Sequence, residues 1–356
     1  MSQLLSIIIV NYRSADLIVD CLRSVGRYNP DLEAEVIIVD NASGDDSRER
    51  LEGARSAAAQ AEAALPQAQQ TPPPWPAFRW IDMGYNAGFA RANNEGMAAA
   101  KGSVFLLLNP DTLAIDDSIT RCFRRFVESD YAACGVQQLN ADGTPQISGN
   151  FFMKGGLNHL LPLPYWGGFL RALAFRAGAK TPHVAEAKGT EVVDWISGAF
   201  LMVKRSAVEA AGMMDGDFFL YAEEVEWCSR LKRVGKLCIF GTERIIHLQG
   251  EAVQKDQGDS AKGYLGLFTR KDLQLMVSNH VRIRKQFGVG WFLFVLLNYS
   301  FGVFVFWIGS FLDRLFTLRN PFGDWGRAAQ FTRNVAVLWG LAPTIIRNKP
   351  HFYKLL

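Results

Sequence analysis

The sequence predicts an α/β fold built on a doubly wound, largely parallel sheet of nucleotide-binding type. Three observations carry this expectation. First, two short apolar runs rich in β-branched residues, 4–10 and 36–39, are separated by a stretch of helical spacing, 15–25, with Leu17, Ile18, Cys21, Leu22 and Val25 on one side. Continuous runs of this kind suit strands buried on both faces. Second, the run Val104–Leu108 stops at Asn109-Pro110-Asp111. Proline cannot donate to a sheet ladder, so the strand ends there and leaves Asp111 at its carboxyl edge. Ligands of open α/β sheets bind at that edge. On this stretch alone the simpler reading is a strand followed by a helix-capping Asp and Thr. Third, a stretch with three glycines and three asparagines, 84–96, forms a loop and enters a helix. Such a loop offers backbone N–H groups to an anion, or is a plain tight turn.

Composition narrows the class. A chain of 356 residues can hold one large domain, or one domain with an appendage. Its 38 Lys and Arg against 35 Asp and Glu leave a charge of only +3, which argues against a nucleic-acid binder. The five cysteines, Cys21, Cys122, Cys134, Cys228 and Cys238, form no CxxC pair, so reduced, buried thiols in a cytosolic compartment are expected. The opening MSQLLSIIIVNY lacks a basic leader and reads as the first strand, not a signal peptide.

The remaining elements follow in order. Residues 52–78 turn rich in Ala and Gln, then contain Pro72, Pro73, Pro74 and Pro76. The Ala/Gln part can extend a helix and the Pro part cannot, so a surface insertion is expected. Phe78–Asp82 reads as a third strand, 118–129 as a helix and 131–135 as a strand. Residues 150–190 look irregular, with Gly155-Gly156, Pro162, Pro164 and Gly167-Gly168, and are expected to form an acceptor-facing loop. Residues 192–203 read as a turn into a buried strand, and Arg205–Ala211 as a short helix. Asp215, Asp217, Glu223, Glu224 and Glu226 then alternate with Phe218, Phe219, Tyr221 and Trp227. Aromatic neighbours desolvate carboxylates and raise their pKa toward that of a general base. A helix to Gly235, a strand at 237–240 and Ile245-Ile246-His247 close this part.

With these pieces in sequence, residues 4–250 resemble glycosyltransferase family 2, and more narrowly its bacterial rhamnosyltransferase-type members. The matching stretches are 6–14, VDNASGDDS at 39–47, NAGFARANNEG at 86–96, LLLNPDT at 106–112, SGAFLMVKR at 197–205 and FFLYAEEVEWCSR at 218–230. The resemblance implies a GT-A fold, Rossmann-like and nucleotide-sugar-binding, in a catalytic domain of residues 1–250. It implies that Asn11, Tyr12, Asp40, Asn41, Asn86, Gly88, Arg91, Asn94, Asn109 and Asp111 bind the nucleotide sugar, with Asp40 reading the base. An Asx turn is the structural alternative for Asp40. Asp111 would hold a divalent metal, Mg²⁺ or Mn²⁺, with His247 as a further ligand. Asn109 stands where the family's DxD motif has its first Asp. Trp195, Ser197, Gly198 and Ala199 match the sugar or acceptor pocket. The catalytic base would be Glu224, with Glu223 the alternative. The family commonly has Asp at the Glu224 position and again at Glu226, so this sequence departs from the pattern there.

The activity implied is inverting transfer of a sugar, rhamnose from dTDP-rhamnose first of all, to a lipid-linked or saccharide acceptor in surface-polysaccharide synthesis. The alternatives are a UDP-sugar donor, or a catalytically weak membrane-bound scaffold. A dinucleotide oxidoreductase is disfavoured, because no GxGxxG follows the first strand.

Residues 251–356 read as a separate helical region. Residues 289–312 carry no charge over a length of about 36 Å as a helix, enough to span a bilayer core. Residues 336–346 form a second apolar run, broken by Pro343. A membrane span or hairpin, helices lying in the interface, and a helical oligomerisation layer are the three readings. Monotopic or peripheral attachment at the cytoplasmic face of a bacterial inner membrane is the expectation.

Overall fold

The computed structural model describes residues 4–63, 76–176, 184, 186–248 and 266–356. The chain divides into two compact units. The first comprises Met1–Phe151, His183–Asp215 and Trp227–Asp259; the second comprises Phe152–Pro182, Gly216–Glu226 and Ser260–Leu356. The division therefore differs from the expected boundary at 250/251. The proline run 72–74 and residues 177–183 of the expected acceptor loop lie outside the described residues.

The first unit is the expected α/β layer. Its elements are β1 (Leu5–Asn11), α1 (Ala15–Tyr28), β2 (Ala34–Asp40), α2 (Ser47–Ala63), β3 (Phe78–Asp82), α3 (Gly88–Ala99), β4 (Val104–Leu108), β5 (Thr112–Ala114), α4 (Ser118–Val127), β6 (Ala133–Leu139) and β7 (Gly149–Asn150). They continue, after α5 of the second unit (Trp166–Arg176), with β8 (Thr190–Val193), β9 (Trp195–Ile196), β10 (Phe200–Lys204), α6 (Arg205–Ala211), most of α7 (Glu223–Val234) and β11 (Leu237–His247). The main sheet runs β3-β2-β1-β4-β10-β6-β11-β5, with β8 beside β11. The first four strands are parallel, and β10 inserts antiparallel between β4 and β6.

The apolar runs are continuous because both faces are covered. Leu5, Ile7 and Ile9 enter the core formed with α1 and α4, while Ile8 enters the opposite core with Trp227 and Leu231 of α7. The chain lays β2 and β3 on one side of β1 and β4 on the other, so a topological switch lies between β1 and β4. In register, Asn11 faces Asp40 and Asp40 faces Asp82, which aligns the carboxyl ends of three strands.

Two differences from the sequence reading matter for the site. Residues 237–247 form one strand, not a strand and a separate segment. Its register against β6 shifts between Phe240 and Arg244, and the far end pairs antiparallel with β5, His247 opposite Thr112. No sequence signal marked β5, three residues long. The five cysteines are buried and free.

In the second unit the described residues 152–176 are more regular than expected. They hold a 3₁₀ segment, Lys154–Leu160, kinked at Gly155-Gly156, and α5. Leu160 and Leu163 are buried in one core with α8 (Arg270–Phe287), α9 (Val289–Phe316) and α10 (Trp325–Arg347). Gly155 and Gly156 are required there: both have positive φ, and a Cβ on Gly155 would collide with the Trp291 ring. Thr269 and Asp272 form a capping box at the start of α8. Pro343 does not break the second apolar run. It sits in the last turns of α10, where an unmade hydrogen bond lies on an exposed edge.

Candidate active site

At the carboxyl ends of β1 and β2, five polar residues close on one another. Asp40 Oδ1 accepts from Asn11 Nδ2 at 2.7 Å and from Ser43 Oγ at 2.5 Å, and its Oδ2 accepts from the Ser43 N–H at 3.1 Å. Asn11 Oδ1 accepts from the Ser14 N–H and hydroxyl. Arg13, at φ 54°, donates its N–H to Ser43 Oγ and its Nε–H to the Ser43 carbonyl. The Asp40 carboxylate thus bonds the N–H three residues on, not two as in an Asx turn, and these contacts hold it at the sheet edge. Ser43 was missed by the sequence reading. Tyr12 is exposed, with the Arg13 guanidinium over its ring.

The loop before α3 corrects another expectation. Asn41 Oδ1 accepts from the Ala87 N–H at 2.7 Å, Asn86 Oδ1 accepts from the Gly88 N–H at 3.2 Å, and Asn41 Nδ2 donates to Asn86 Oδ1. Two of the backbone groups expected to face an anion are therefore capped by side chains. Asn94 has a different job from the one expected. Its amide donates to the Met214 carbonyl and accepts from the Met214 N–H, which clips α3 to the chain after α6. Arg91 lies one turn into α3.

Beyond β4 the chain turns tightly. Asn109 donates its N–H to the Ala199 carbonyl, and its own carbonyl accepts from the N–H and hydroxyl of Thr112. This turn carries Asp111, which is buried, and the β5–β11 pairing brings buried His247 to it. His247 Nε2 lies 3.4 Å from Asp111 Oδ1. On its other side His247 Nδ1 is 3.0 Å from Gln146 Oε1. Gln146 Nε2 donates to the His247 carbonyl at 2.6 Å and to Asn140 Oδ1 at 2.8 Å, so Oε1 must be the acceptor and Nδ1 the donor. In the neutral ring, Nε2 then presents a lone pair to a carboxylate oxygen.

Two acceptors facing each other at this distance suit a cation between them. Oxygen and nitrogen donors on one octahedral cation at 2.0–2.1 Å stand about 3 Å apart. Among the described residues no group of three or more His, Cys, Asp and Glu side chains could hold a metal. The pair fits an ion completed by ligand oxygens rather than by protein alone, and Gln146 supplies the orienting contact such histidines commonly have.

Ser197 donates its N–H to the Ser148 carbonyl, and its hydroxyl accepts from the Ala199 N–H at 3.4 Å. Trp195, on β9, faces Asn150 across the small β7–β9 sheet, and Gly198 occupies the turn before β10.

The carboxylates Glu223 and Glu224 begin α7 within the second unit. Two non-glycine residues before them, Tyr221 and Ala222, hold φ of 71° and 65°. Left-handed backbone of this kind is strained and persists where neighbours enforce it. Here Ser278 donates to the Leu220 carbonyl, Lys285 pairs with Asp217 at 2.7 Å, and Tyr353 donates its N–H to the Asp217 carbonyl. Burial pushes both carboxyls above the ordinary carboxylate range. The Glu224 charge pushes Glu223 further up, whereas the Arg282 guanidinium draws Glu224 back down. Glu223 Oε2 is buried with no hydrogen-bond partner, as is Arg282 Nε. Arg282 also donates to His159 Nε2 at 2.7 Å and to Gln286 at 2.6 Å. Both carboxyls therefore keep their protons to higher pH than an exposed glutamate, and the Arg282 guanidinium favours the charged form of Glu224.

Residues 6–167 match the family model for glycosyl transferase family 2. It is 24% identical over 241 residues to the low-salt glycan biosynthesis hexosyltransferase Agl10 of Haloferax volcanii, covering 64% of this chain and 62% of the relative. It is 25% identical over 204 residues to an N-acetylglucosaminyl-diphospho-decaprenol L-rhamnosyltransferase of Mycobacterium tuberculosis, covering 51% and 62%. To rhamnosyltransferase WbbL of Escherichia coli it is 25% identical over 157 residues, covering 42% and 55%. The chain thus spans about three fifths of the length of the first relatives it matches. In fold it is similar to a mannosyltransferase of Pyrobaculum calidifontis solved with GDP-Man and Mn²⁺. The TM-score is 0.52 at 16% identity, over 94% of this chain and 87% of that one. The fold is the GT-A type.

Proposed function

We propose that this protein is an inverting hexosyltransferase that moves a sugar, rhamnose from dTDP-rhamnose in the leading form, from a nucleotide sugar to a lipid-linked acceptor. The observation that carries the reading is the Asp111–His247 pair at the carboxyl edge of the sheet, on the same unit as the Asn11–Asp40–Ser43 cluster. Such an edge suits a nucleotide, whose base needs an anionic acceptor for an imide N–H and whose diphosphate needs positive charge. The relatives named for L-rhamnose transfer, one of them to a decaprenyl-diphosphate-linked sugar, support the choice of donor and acceptor.

In this reading Asp40 accepts the imide N–H of the base. Asp111 and His247 would hold a divalent cation, Mg²⁺ or Mn²⁺, which when bound supplies charge opposite the diphosphate oxygens. Glu224 takes a proton from the acceptor hydroxyl. The electron pair freed on the acceptor oxygen bonds to the anomeric carbon as the bond from that carbon to the nucleoside diphosphate breaks, and the nucleoside diphosphate leaves with the electrons of the broken bond. Trp195, Ser197, Gly198 and Ala199 would line the sugar pocket. The chain would work at the cytoplasmic face of a bacterial inner membrane, peripherally or monotopically attached, where both substrates are accessible.

The test is a donor screen. The protein is incubated with dTDP-rhamnose, UDP-glucose, UDP-N-acetylglucosamine and UDP-galactofuranose, with and without MnCl₂, and thermal shift and nucleotide release are read. A metal-dependent shift with dTDP-rhamnose and release of dTDP on adding a lipid-linked acceptor support the reading. A shift with a UDP-sugar alone moves the donor to that class. No shift with any nucleotide would leave a scaffold role.

A further inference from the structure

We propose that the outer face of α9, with the adjoining end of α5, docks in the plane of an anionic phospholipid bilayer without crossing it. The inference does not depend on the transfer chemistry, because its readout is partition and not turnover.

Among the described residues, α9 is the one helix long and apolar enough to span a membrane. Its burial decides how it meets one. Phe292, Val295, Leu296, Tyr299 and Phe306 are buried in the helical core. On the other side Phe294, Leu297, Phe301, Phe304, Ile308 and Leu312 are exposed, Leu297 at 57% and Phe304 at 60%. Those steps of three and four residues draw one stripe along the helix. The stripe continues sideways. Trp166 of α5 packs edge-on against Phe301 at 4.8 Å and stacks on Phe169 at 5.3 Å, and Phe169 and Leu173 are themselves exposed. At the margin, the indole N–H groups of Trp166 and Trp339 donate to Asn298 and Ser300 of α9. Rings with an apolar body and a satisfied polar end are typical of the bilayer interface. A contiguous exposed patch of this extent marks a surface that meets an apolar partner.

What covers the other face argues against spanning. The buried side of α9 packs on α8, where His280 contacts the Phe292 and Tyr299 rings. Helix α8 carries Arg270, Lys271, Asp272, Arg282, Arg284 and Lys285. Threading α9 through hydrocarbon would drag these charges with it. A helix with one face on a charged protein layer and the other bare lies in the interface.

The rim selects the lipid. Arg171, Arg176, Arg319, Arg327 and Arg333 are exposed on α5, on α10 and in the connection after α9. Of the two acids nearby, Asp313 and Asp324, the latter is held by Arg314 and Arg327. This basic surround complements anionic headgroups. It also disfavours a second copy on the same face, since two such rims would repel.

The experiment floats the full chain with phosphatidylcholine vesicles, with or without about 30% phosphatidylglycerol. Partition is expected to be about tenfold stronger on the anionic vesicles and to weaken in about 0.5 M NaCl. Membranes carrying the protein should release it in alkaline carbonate. The pair Leu297→Glu with Phe304→Glu should cut partition at least about tenfold with unchanged circular dichroism and melting. If that pair misfolds, Arg319→Glu with Arg333→Glu should abolish the anionic preference alone. Three results would overturn the proposal: resistance to carbonate, which means a spanning helix; partition unmoved by either pair; or a dimer broken by Leu297→Glu while vesicle binding persists, which means the face serves self-association.

Discussion

His247 Nε2 stands 3.4 Å from Asp111 Oδ1, with the far side of the imidazole ring fixed by Gln146. A ring nitrogen and a carboxylate oxygen set this close can share a cation between them. Gln146 keeps Nε2 turned toward Asp111, and the β5–β11 pairing keeps the two backbones in register.

Asp111→Asn and His247→Ala should therefore act on metal-dependent nucleotide binding more than on folding. We expect Asp111→Asn to abolish the Mn²⁺ dependence of dTDP binding and His247→Ala to weaken it. Gln146→Leu, which touches no ligand, should cost about 10–100-fold in Mn²⁺ affinity by freeing the ring. Calorimetric titration of dTDP with and without Mn²⁺ reads all three. Equal binding with and without Mn²⁺ in the parent protein would remove the metal from the reading.

Ser43 is a second lever. Its buried hydroxyl donates to Asp40 and accepts from both Asn11 and Arg13. Ser43→Ala leaves those donors short of a partner in a dry setting, a loss of about 1–3 kcal/mol in denaturant unfolding. Nucleotide affinity should fall with it, because the turn that aims Asp40 loosens. Unchanged affinity with lowered stability would mean that Asp40 serves the turn alone.

For the carboxylates the sign follows from burial. A general base must be ionised, and both groups are raised, so kcat/KM should fall on the acid side at a pH above the ordinary range of a glutamate. Arg282 draws Glu224 down, so Arg282→Met should move that acid limb to still higher pH. Glu224→Gln should abolish turnover and spare nucleotide binding. Glu223 Oε2 has no hydrogen-bond partner, so Glu223→Gln removes no contact there and should leave most activity in place. Linkage gives the matching stability effect. A folded-state pKa above the unfolded value of 4.5 contributes stability that is complete below that value and lost as pH rises through the folded pKa. The reverse pattern for the two Gln variants would assign the base to Glu223.

The strand runs 4–10, 36–39 and Val104–Leu108 were legible because burial on both faces leaves an unbroken apolar signature. Asp111 and Asp40 were legible because a strand end followed by proline or by an Asn-Ala-Ser-Gly turn is a local feature. Gln146 and Ser43 were not, since their importance arises from pairings 101 and 32 residues apart in the chain. The stretch 150–190 misled for a related reason. Its glycines and prolines read as loop punctuation, yet Gly155 is there to admit Trp291, and Leu160 and Leu163 are core residues of a helical layer. The capped amides of Ala87 and Gly88 show the same limit: the residue types were right for an anion site, and Asn41 and Asn86 engage those N–H groups instead.

Lys285 and Asp217 test whether the strained turn before Glu223 is held by its neighbours. The pair is mostly buried, at 2.7 Å, and Asp217 also accepts the His351 N–H. Removing one partner strands a charge in low dielectric, whereas removing both charges does not. Lys285→Met should destabilise the fold by about 3 kcal/mol, at the lower end for a buried pair because both groups keep some solvent contact. Adding Asp217→Asn should restore much of that loss, since asparagine can still accept from His351. Turnover should not recover to the same degree, because the Ser278–Leu220 bond is then left to tie α8 to the 217–222 turn and the left-handed pair Tyr221–Ala222 is less firmly held. Urea unfolding and initial rates on the two single variants and the double variant separate the effects. Full recovery of both stability and rate in the double variant would show that the turn is held without this pair.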